Sequence, residues 1–563
     1  DAAVQDFERA MLYATVFALG LWLANLSGRR MLIPLAVVAL VGGLVGIVTT
    51  LTLALGTDVP SYFHGDATLR YPVGYRNAEA AFLLICLWPM VVLAAEAKVQ
   101  WHARALAVGA GTMLLELAVL AESRGSLPAS LVALAALILL SPRRLRIAGY
   151  LVLAALPVLP ALPTLLDVFK HGGDGPDLIP LMRDSAHAIA LTSLGSLALA
   201  AFWIRAVEPN FDLGPQRTRV VSRVVATAAL SAVLIGGTVY IAHRGGPFKF
   251  LDQRVQQFKS QGEPNLHSAG TRFGFNAGSN RHDFWRVALD EARDHPLAGG
   301  GAGSFAAEYL LHRHSVETPR DPHSVEMLMI SELGIVGLLL LAAFLVASAI
   351  SGLRTRRLGP PAAALAAGSL TVGAYWLVHA SYDWLWHYPA ITTPAIFLLG
   401  AAASPPLLDR GVSTIRSPAR WAGVAVLAVS AVIALPLFLS QRYVNRAYDE
   451  ARNDPGLAIS DLNRAADLDP YDPQPQLAKG VVESRLGRDA AAVSAFRQAI
   501  GRQPDAYAGH FFLARALARS NPPVARAEAR EALRLNPLDP QTQALNRALQ
   551  RPAGAQSPKN GRK

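Results

Sequence analysis

The residues best suited to chemistry lie between Arg281 and Gly337, where a polar segment rich in His, Arg and Gly runs into an apolar one. His323 stands at the junction, and Glu332 already lies inside the apolar run. Ionisable side chains at membrane depth are costly, so their presence there indicates a function. Because a neutral imidazole can accept a proton from a hydroxyl, the segment predicts acid–base chemistry at a membrane boundary.

The residues around His323 suggest how it is positioned. With Asp321 as N-cap and Pro322 as the first helical residue, His323 is expected in the first turn of the following helix. The positive helix end would favour a neutral ring that can act as a base, although a capping or interfacial His fits as well. Glu332 lies nine residues further on, about 13 Å deeper by helical rise and on nearly the opposite face. It can therefore be catalytic or anchor a neighbouring helix, but it cannot form a direct dyad with His323.

Other polar residues could hold an anionic or sugar ligand. The planar guanidinium of Arg matches phosphate oxygens, and four arginines are candidates for this role: Arg76, Arg124, Arg272 and Arg281. Arg124 lies between two closely spaced apolar runs, so it is the hardest to explain as a solvated charge. Asp383 and Trp384 lie in a segment rich in Trp and His, which could stack on sugar rings or form an interfacial aromatic belt.

Metal and nucleotide sites are not predicted. Seven of the fourteen His lie between His243 and His323, including His312 and His314 as an H-x-H pair. Neither an H-E-x-x-H helix nor a Cys partner accompanies them. The glycine run 299–303 is not followed by Gly-Lys-Ser/Thr, so it is no P-loop; its N–H groups could contact an anion, or it could be a simple turn. We expect no metal and no cofactor.

The composition indicates what must position these residues. Of the 563 residues, 52% are hydrophobic and the mean hydropathy is +0.30, which is typical of a membrane protein with many spans. We predict twelve spans of about 16 to 25 residues, near the length that crosses roughly 30 Å of hydrocarbon. The predicted spans are 10–25, 31–56, 78–97, 102–121, 126–140, 145–166, 185–207, 221–243, 327–350, 362–379, 389–404 and 421–440.

The charge distribution predicts the orientation. Lys and Arg are concentrated in the loops after odd-numbered spans, which places those loops in the cytoplasm and the long loop 244–326 outside it. Asp1 then also lies outside, as expected if an upstream span has been removed. The net charge of +11 reflects these cytoplasmic loops beside anionic lipid, not nucleic-acid binding. Cys86, the single cysteine, excludes a disulfide framework and is given a structural role.

The C-terminal part is a different kind of domain. Hydropathy falls after residue 440, and three similar segments end at Pro470, Pro504 and Pro537, a period of 34 and 33 residues. This period, with small Ala positions and helix-ending Pro, is typical of tetratricopeptide repeats, which either bind a partner or here cap the membrane domain. We predict a membrane domain in 1–243, a catalytic loop in 244–326, further spans in 327–440, the repeats in 441–550 and a disordered basic tail in 551–563.

The order of the motifs resembles that of a known family. SRG at 123–125, R-x-x-x-W at 281–285, HPLAGGGAGSF at 295–305 and HSVEMLMISELGIVG from His323 are together similar to the O-antigen ligase and polymerase superfamily of bacterial membrane glycosyltransferases. The resemblance is strongest from Arg281 to about Leu340. The chain departs from the family pattern in His323-Ser324, where His-Asn is common, in the looser GGGAG, and in Arg76-Asn77-Ala78, where the family has an Asn-Pro-Asn-like element.

The resemblance implies an all-α, GT-C-like membrane fold in the bacterial inner membrane and a C-terminal repeat domain open to a protein partner. It implies transfer of a glycan from a polyprenyl pyrophosphate, such as undecaprenyl pyrophosphate, to a hydroxyl of a glycan, lipid or protein on the extracytoplasmic side. It also implies that His323 is the general base, that Arg281 and Arg124 hold the pyrophosphate, and that Glu332 occupies the family's acidic position. Direct displacement would invert the anomeric centre.

Three other functions remain open. A polymerase would use a second lipid-linked glycan as acceptor. A transporter or flippase would also need many spans and outer-face Arg, but it predicts paired inverted repeats, which the sequence does not clearly contain. A membrane-anchored scaffold would leave His323, Arg281 and Arg124 freely replaceable.

Overall fold

The structure is a computed structural model that describes residues 2–27, 31–171, 173, 175–210, 214–243, 245–259, 280–404 and 417–550. Arg272 and the predicted disordered tail 551–563 lie outside the described residues. The N-terminal half is helical apart from a two-residue antiparallel ribbon that pairs β1 (Phe63–His64) with β2 (Thr68–Leu69). Its helices are α1 Ala2–Ser27, α2 Ile33–Leu55, α3 Val59–Tyr62, α4 Arg76–Ala95, α5 Trp101–Leu120, α6 Ser126–Leu140, α7 Arg144–Ala155, α8 Val158–His171, α9 Leu178–Phe202, α10 Gly214–His243 and α11 Pro247–Lys259.

The remaining helices carry the chain from the long loop into the repeats. Two of them, α12 and α13, lie in the part of the predicted catalytic loop that the structure describes, and α17 continues from the apolar region into the repeats. The helices are α12 Arg281–Asp294, α13 Ser304–His312, α14 Val325–Thr355, α15 Pro360–Ala380, α16 Pro389–Ala403, α17 Ser417–Glu450, α18 Pro455–Leu468, α19 Gln474–Arg485, α20 Asp489–Arg502, α21 Tyr507–Leu517, α22 Pro522–Leu535 and α23 Pro540–Gln550.

The predicted all-α, polytopic membrane architecture is confirmed. Within the described ranges, seven helices are long and apolar enough to cross a membrane, and the pair α7 and α8, bent by 49°, would be an eighth. The bend replaces the single straight span predicted for 145–166, and it falls at Leu156-Pro157, where Pro cannot continue a helix. Helices α6 and α16 are apolar but shorter. Each of the twelve predicted spans overlaps a helix, while the number that cross the membrane stays a prediction.

Helix α4 is the centre of the membrane domain. Every residue from Ala78 to Ala95 is buried, as expected for a helix that is apolar on all sides. It packs against α2, α5 and α15. Gly42 of α2 lies so near that an added Cβ would come 2.3 Å from the Cβ of Cys86, which is itself buried. The N-terminal end of α4 is therefore fixed by packing on all sides.

The C-terminal region forms helix pairs at the period read from the sequence. The end of α17 packs on α18, α19 on α20, and α21 on α22, with α23 following the last pair. Each second helix ends two residues before Pro470, Pro504 or Pro537. Arg313, which follows α13, donates through Nη2 to Oδ1 of Asn536 at 2.8 Å, so the repeats contact the long loop directly. The assignment of these pairs as tetratricopeptide repeats stays a prediction.

Candidate active site

Four segments that are far apart in sequence meet at one end of the helical bundle. They are the turn before α14 with His323, the start of α12 with Arg281, the turn after α15 with Asp383 and Trp384, and the start of α4. Six of the seven predicted site residues that the structure describes lie in or beside these segments. Glu332 lies apart from them, further along α14.

Asp383 is the centre of the polar contacts. Its carboxylate is 1% exposed and accepts hydrogen bonds from the Tyr75 hydroxyl at 3.2 Å and from the Asn77 amide at 2.5 Å. Nη2 of Arg281 forms an ion pair with it at 3.6 Å. Burial and the negative charge of Asp383 raise the pKa of Tyr75, so the phenol keeps its proton and donates. A buried carboxylate is stable only when it is compensated, and these three partners compensate it.

Arg281 links this cluster to Arg124. Its Nε donates to the carbonyl oxygen of Tyr382 at 2.7 Å, and the Tyr382 hydroxyl donates to the carbonyl oxygen of Gly125. A Cβ added at Gly125 would lie 2.8 Å from Nε2 of His379, so only glycine fits in this turn. The half-buried Arg124, one residue before Gly125, is thus held close to the Asp383 cluster.

Arg76 is held by an ion pair of its own. Asp66, in the turn between the two short strands, binds Arg76 through Nη1 and Arg70 through Nη2, the latter at 3.5 Å. Thr68 donates its hydroxyl to the same carboxylate at 2.6 Å. Arg76 is therefore paired with a carboxylate that it shares with Arg70, and in sequence it lies between Tyr75 and Asn77, which both donate to Asp383.

The predicted helical position of His323 is wrong. Helix α14 begins at Val325, and its N-cap is Ser324, whose hydroxyl accepts from the backbone N–H of Met327 at 3.3 Å. The Asp321 carboxylate accepts instead from the backbone N–H of His323, at 2.9 Å. Ser and Asp are equally favourable N-cap residues, and in this helix Ser324 is the N-cap instead of Asp321. His323 consequently precedes the helix and its N–H groups.

The ring of His323 is oriented by Asp321. Nδ1 lies 3.2 Å from the Asp321 carbonyl oxygen and 3.5 Å from the carboxylate oxygen Oδ1. With two oxygens on that side, we assign the hydrogen of the neutral ring to Nδ1, which leaves Nε2 to accept a proton. Burial raises the pKa of Asp321, while the nearby His323 acts in the opposite direction. Asp321 thus supports His323 as the partner that sets its tautomer.

The R-x-x-x-W motif surrounds His323 with rings. Phe284 and Trp285 lie one helical turn after Arg281 on α12, so the three share a face. The Phe284 ring centre is 5.2 Å from that of His323, and the Trp285 indole donates to the Pro322 carbonyl at 3.0 Å. On the other side, Trp384 lies 5.7 Å from the imidazole. One helix therefore positions both the guanidinium and the imidazole.

Backbone strain is concentrated around the same site. In the described part of the chain, three residues other than glycine have positive φ: Ala67 at 51°, Glu122 at 49° and His323 at 54°. Ala67 follows Asp66, and Glu122 lies two residues before Arg124. Such conformations cost about 1–3 kcal/mol each and persist where the surrounding contacts enforce them, which is common at functional sites.

Glu332 lies at a break in α14. Gly334 has φ 64° and ψ −164°, a conformation open essentially to glycine only. The glycine run 299–303 fits into this break: Gly300 donates its N–H to the carbonyl of Ser331 at 2.9 Å, and Gly301 to that of Glu332 at 3.0 Å. These N–H groups already donate to carbonyl oxygens of α14. For the glycine run 299–303, a structural role as a turn is therefore favoured over contact with a phosphate.

Close packing at the break requires its glycines. A Cβ added at Gly299 would lie 2.2 Å from the backbone of Glu332, and one added at Gly334 would lie 2.4 Å from that of Leu297. The backbone N–H of Gly303 lies beside the Glu332 carboxylate, whereas the ring of His323 contacts Asp321. These contacts favour the anchoring role of Glu332.

Some site residues could not be found from the sequence. Tyr75, Asn77 and Tyr382 are ordinary polar residues next to apolar runs, and Asp66 lies in a short loop. Their only shared signal is their position at the ends of spans. Across the described residues, no group of three or more His, Cys, Asp or Glu side chains is placed to hold a metal ion. His312 and His314 lie instead beside Glu308 and Asp283.

Comparison with known proteins identifies a related family for part of the chain. Residues 180–342 match a family model described as O-antigen ligase. No protein of curated function matches the chain. The matched segment includes Arg281, His323 and Glu332, whereas Arg76, Arg124, Asp383 and Trp384 lie outside it. The resemblance inferred from the motifs is thereby confirmed for residues 180–342, where the chain contains a segment that matches the O-antigen ligase family.

Proposed function

We propose that the protein transfers a glycan from a polyprenyl pyrophosphate donor to an acceptor hydroxyl on the extracytoplasmic face of the bacterial inner membrane. One observation carries the proposal. His323 and Arg281, inside the O-antigen ligase segment, meet Asp383 and Trp384, which lie outside it in sequence. Residues from several segments that converge on one partly buried His are what acid–base chemistry requires.

The proposed reaction is a direct displacement. Nε2 of His323 takes the proton of the acceptor hydroxyl while the hydroxyl oxygen attacks the anomeric carbon. The bond between that carbon and the pyrophosphate oxygen breaks, and the electron pair leaves with the pyrophosphate. The new glycosidic bond forms on the opposite face, so the anomeric configuration is inverted. Asp321 stabilises the imidazolium that results, because its oxygens lie beside Nδ1.

The arginines supply positive charge to the leaving group. Arg281 is held by Tyr382 and Asp383, and Arg124 lies in the neighbouring turn. Guanidinium groups fixed in advance can stabilise the charge that develops on pyrophosphate without a metal. Arg76 and Arg272 are proposed to assist, the latter from outside the described residues. The polyprenyl chain would remain in lipid, which suits a site at the end of a helical bundle.

The chemical nature of the acceptor distinguishes three possible activities of such an enzyme. A ligase would use a lipid or glycan, a polymerase another lipid-linked glycan, and a related enzyme a protein hydroxyl. All three share the donor and the base, so the residues described above support each of them. The repeats contact the long loop through Arg313 and Asn536, which suits a docking module that brings an acceptor or protein partner to the site.

The proposal is tested by reconstitution of the full chain in liposomes with a lipid-linked oligosaccharide, candidate acceptors and EDTA. Transfer with inversion that survives chelation and is lost in His323→Ala and Arg281→Ala is expected. Transfer that requires a divalent metal, or that persists in both variants, would overturn the mechanism.

A further inference from the structure

A cavity lies beside the candidate active site but is not part of the Asp383 cluster. It has a volume of about 530 Å³ and is bounded by the start of α1, the turn with His387 before α16, the middle of α17 and the turn after α18. This volume is within the range of roughly 300–1,000 Å³ found for small-molecule sites. The cavity therefore combines surfaces of the membrane domain and of the first repeat.

The cavity reaches the catalytic base through two side chains. His387 forms part of its wall, and Nδ1 of His387 lies 3.8 Å from Oδ2 of Asp321. The other carboxylate oxygen of Asp321 faces His323. Burial, and after it the proximity of Arg9 and His323, lowers the pKa of His387 to about 3, so this ring is neutral at physiological pH. The neutral side chain of His387 and the carboxylate of Asp321 thus connect the edge of the cavity to His323.

The lining has the chemistry of a carbohydrate site. The acidic residues Glu8, Asp469 and Asp472 line the cavity together with Gln5 and Gln441. Leu12, Leu437 and Phe438 add apolar surface of the kind that packs on the C–H face of a sugar.

The negative charge of the lining residues disfavours anionic ligands. Arg9 is the single Arg or Lys among the lining residues, and it already forms an ion pair with Asp6. The three carboxylates therefore give the wall a negative balance, which opposes phosphate and other anions.

We propose that this cavity binds the sugars of a neutral or amino-bearing acceptor glycan next to the sugar whose hydroxyl reacts at His323. The inference rests on the proposed glycan transfer and adds the acceptor side to it. Arginines collect on the donor side, around Asp383, and carboxylates collect on the acceptor side, around His387. The repeat domain then completes the acceptor site, since Asp469 and Asp472 belong to the turn between α18 and α19.

The repeats themselves provide matched controls. The turn LDPYDPQ at 468–474 corresponds to LNPLDPQ at 535–541, so Asp472 is equivalent to Asp539 and Asp469 to Asn536. Asp469 caps its turn through Oδ1, which accepts from Tyr471 and Asp472 N–H groups at 3.2 Å each. An Asn side chain keeps that oxygen, and the third repeat already has Asn there. Replacement of Asp469 by Asn should therefore remove the negative charge and leave the fold of the repeat unchanged.

The test uses a double variant that combines Asp469→Asn and Asp472→Asn. Its control is the single variant Asp539→Asn. Binding of a short neutral oligosaccharide to the full chain is measured by calorimetry in the His323→Ala background, where no transfer can occur. We expect the double variant to bind about tenfold more weakly and the control to bind as the parent does. In active protein, the acceptor KM should rise by a similar factor with the donor KM unchanged.

The outcomes separate the two proposals. Binding that depends on Asp469 and Asp472, together with no transfer by the parent protein that retains His323, would support the cavity and defeat the proposed reaction. Transfer by the parent, with equal binding and equal acceptor KM in the double variant, would overturn the cavity proposal alone. Free, lipid-anchored and polyprenyl-pyrophosphate-linked forms of the same oligosaccharide show which source the cavity accepts. Preference for a phosphorylated oligosaccharide or for a peptide would contradict the inference.

Discussion

Two polar regions of the O-antigen ligase segment differ in how they are built. Around His323, side chains from four separate segments converge on buried carboxylates, and a non-glycine residue is held in a strained conformation. Around Glu332, the contacts are made mostly by backbone, with glycines of one segment fitted into a broken helix. Both place ionisable groups in an apolar domain, yet only the first brings together the proposed base, the carboxylate that orients it and a cation.

From this difference in contacts we infer different roles for the two ionisable residues. Glu332 lies in the same motif as His323, but its carboxylate is engaged by Gly303 of the glycine run. The catalytic region should therefore respond to substitution in activity and the glycine region in stability. The following predictions test that division.

The largest effect is expected at His323. His323→Ala should lower the transfer rate by roughly 10²–10⁴-fold, because the acceptor hydroxyl loses its base, with little change in thermal stability. Initial rates in liposomes and a melting curve measure the two quantities. His312→Ala is the matched control, since that His is 61% exposed and pairs only with Glu308. Equal losses in both variants would contradict the role of His323.

Arg281 should come next. In Arg281→Lys a single ammonium replaces the guanidinium that contacts both Tyr382 and Asp383, so a rate loss of about 10²-fold is expected. The donor dependence of the rate is the measurement. A variant with wild-type kcat and donor KM would show that the charge alone is sufficient and that the geometry described here is not required.

The glycine region should lose stability. Gly334→Ala forces a side chain into a conformation that costs about 1–3 kcal/mol, and its Cβ would meet the backbone of Leu297. The melting temperature of the purified protein should fall, and the activity of the fraction that remains folded should change little. Gly195→Ala, in α9 with open space around it, is the control and should be neutral. A normal melting curve for Gly334→Ala would exclude the break as a packing feature.

A smaller effect concerns pH. Burial raises the pKa of Asp321, so its carboxyl takes up a proton at a higher pH than an exposed aspartate does. Asp321→Asn should reduce the rate about tenfold at neutral pH. It should also move the acid limb of the pH–rate profile to lower pH, since one group that titrates there is gone. An unchanged limb would remove Asp321 from the catalytic unit.

The smallest effect is expected at Glu332. In Glu332→Gln the side chain keeps an oxygen that can accept from Gly303, so the rate should fall by less than about threefold. The same liposome assay measures it. A loss as large as that of His323→Ala would restore the catalytic alternative for Glu332 and erase the contrast between the two regions.

The sequence predicted the helical membrane architecture because long apolar runs leave few other structures. It also singled out His323 and Arg281, which contact Trp384 and Asp383 of the same cluster, while their catalytic roles stay predictions. The predicted start of α14 was wrong because Asp321 and Ser324 can both act as N-caps. Only the local hydrogen bonds decide between them. The partners of Asp383 could not be predicted, because Tyr75 and Asn77 meet it across more than 300 residues. The pairing of the glycine run with α14 is likewise a contact between backbones that no side-chain pattern reveals.

The burial of Cys86 has a practical consequence. It is the single thiol of the chain and lies inside α4 against Gly42, out of reach of water-borne reagents. The wild-type protein is therefore already silent to thiol labels that do not cross membranes. Single cysteines placed in the loops would report, one at a time, which side of the membrane each loop faces.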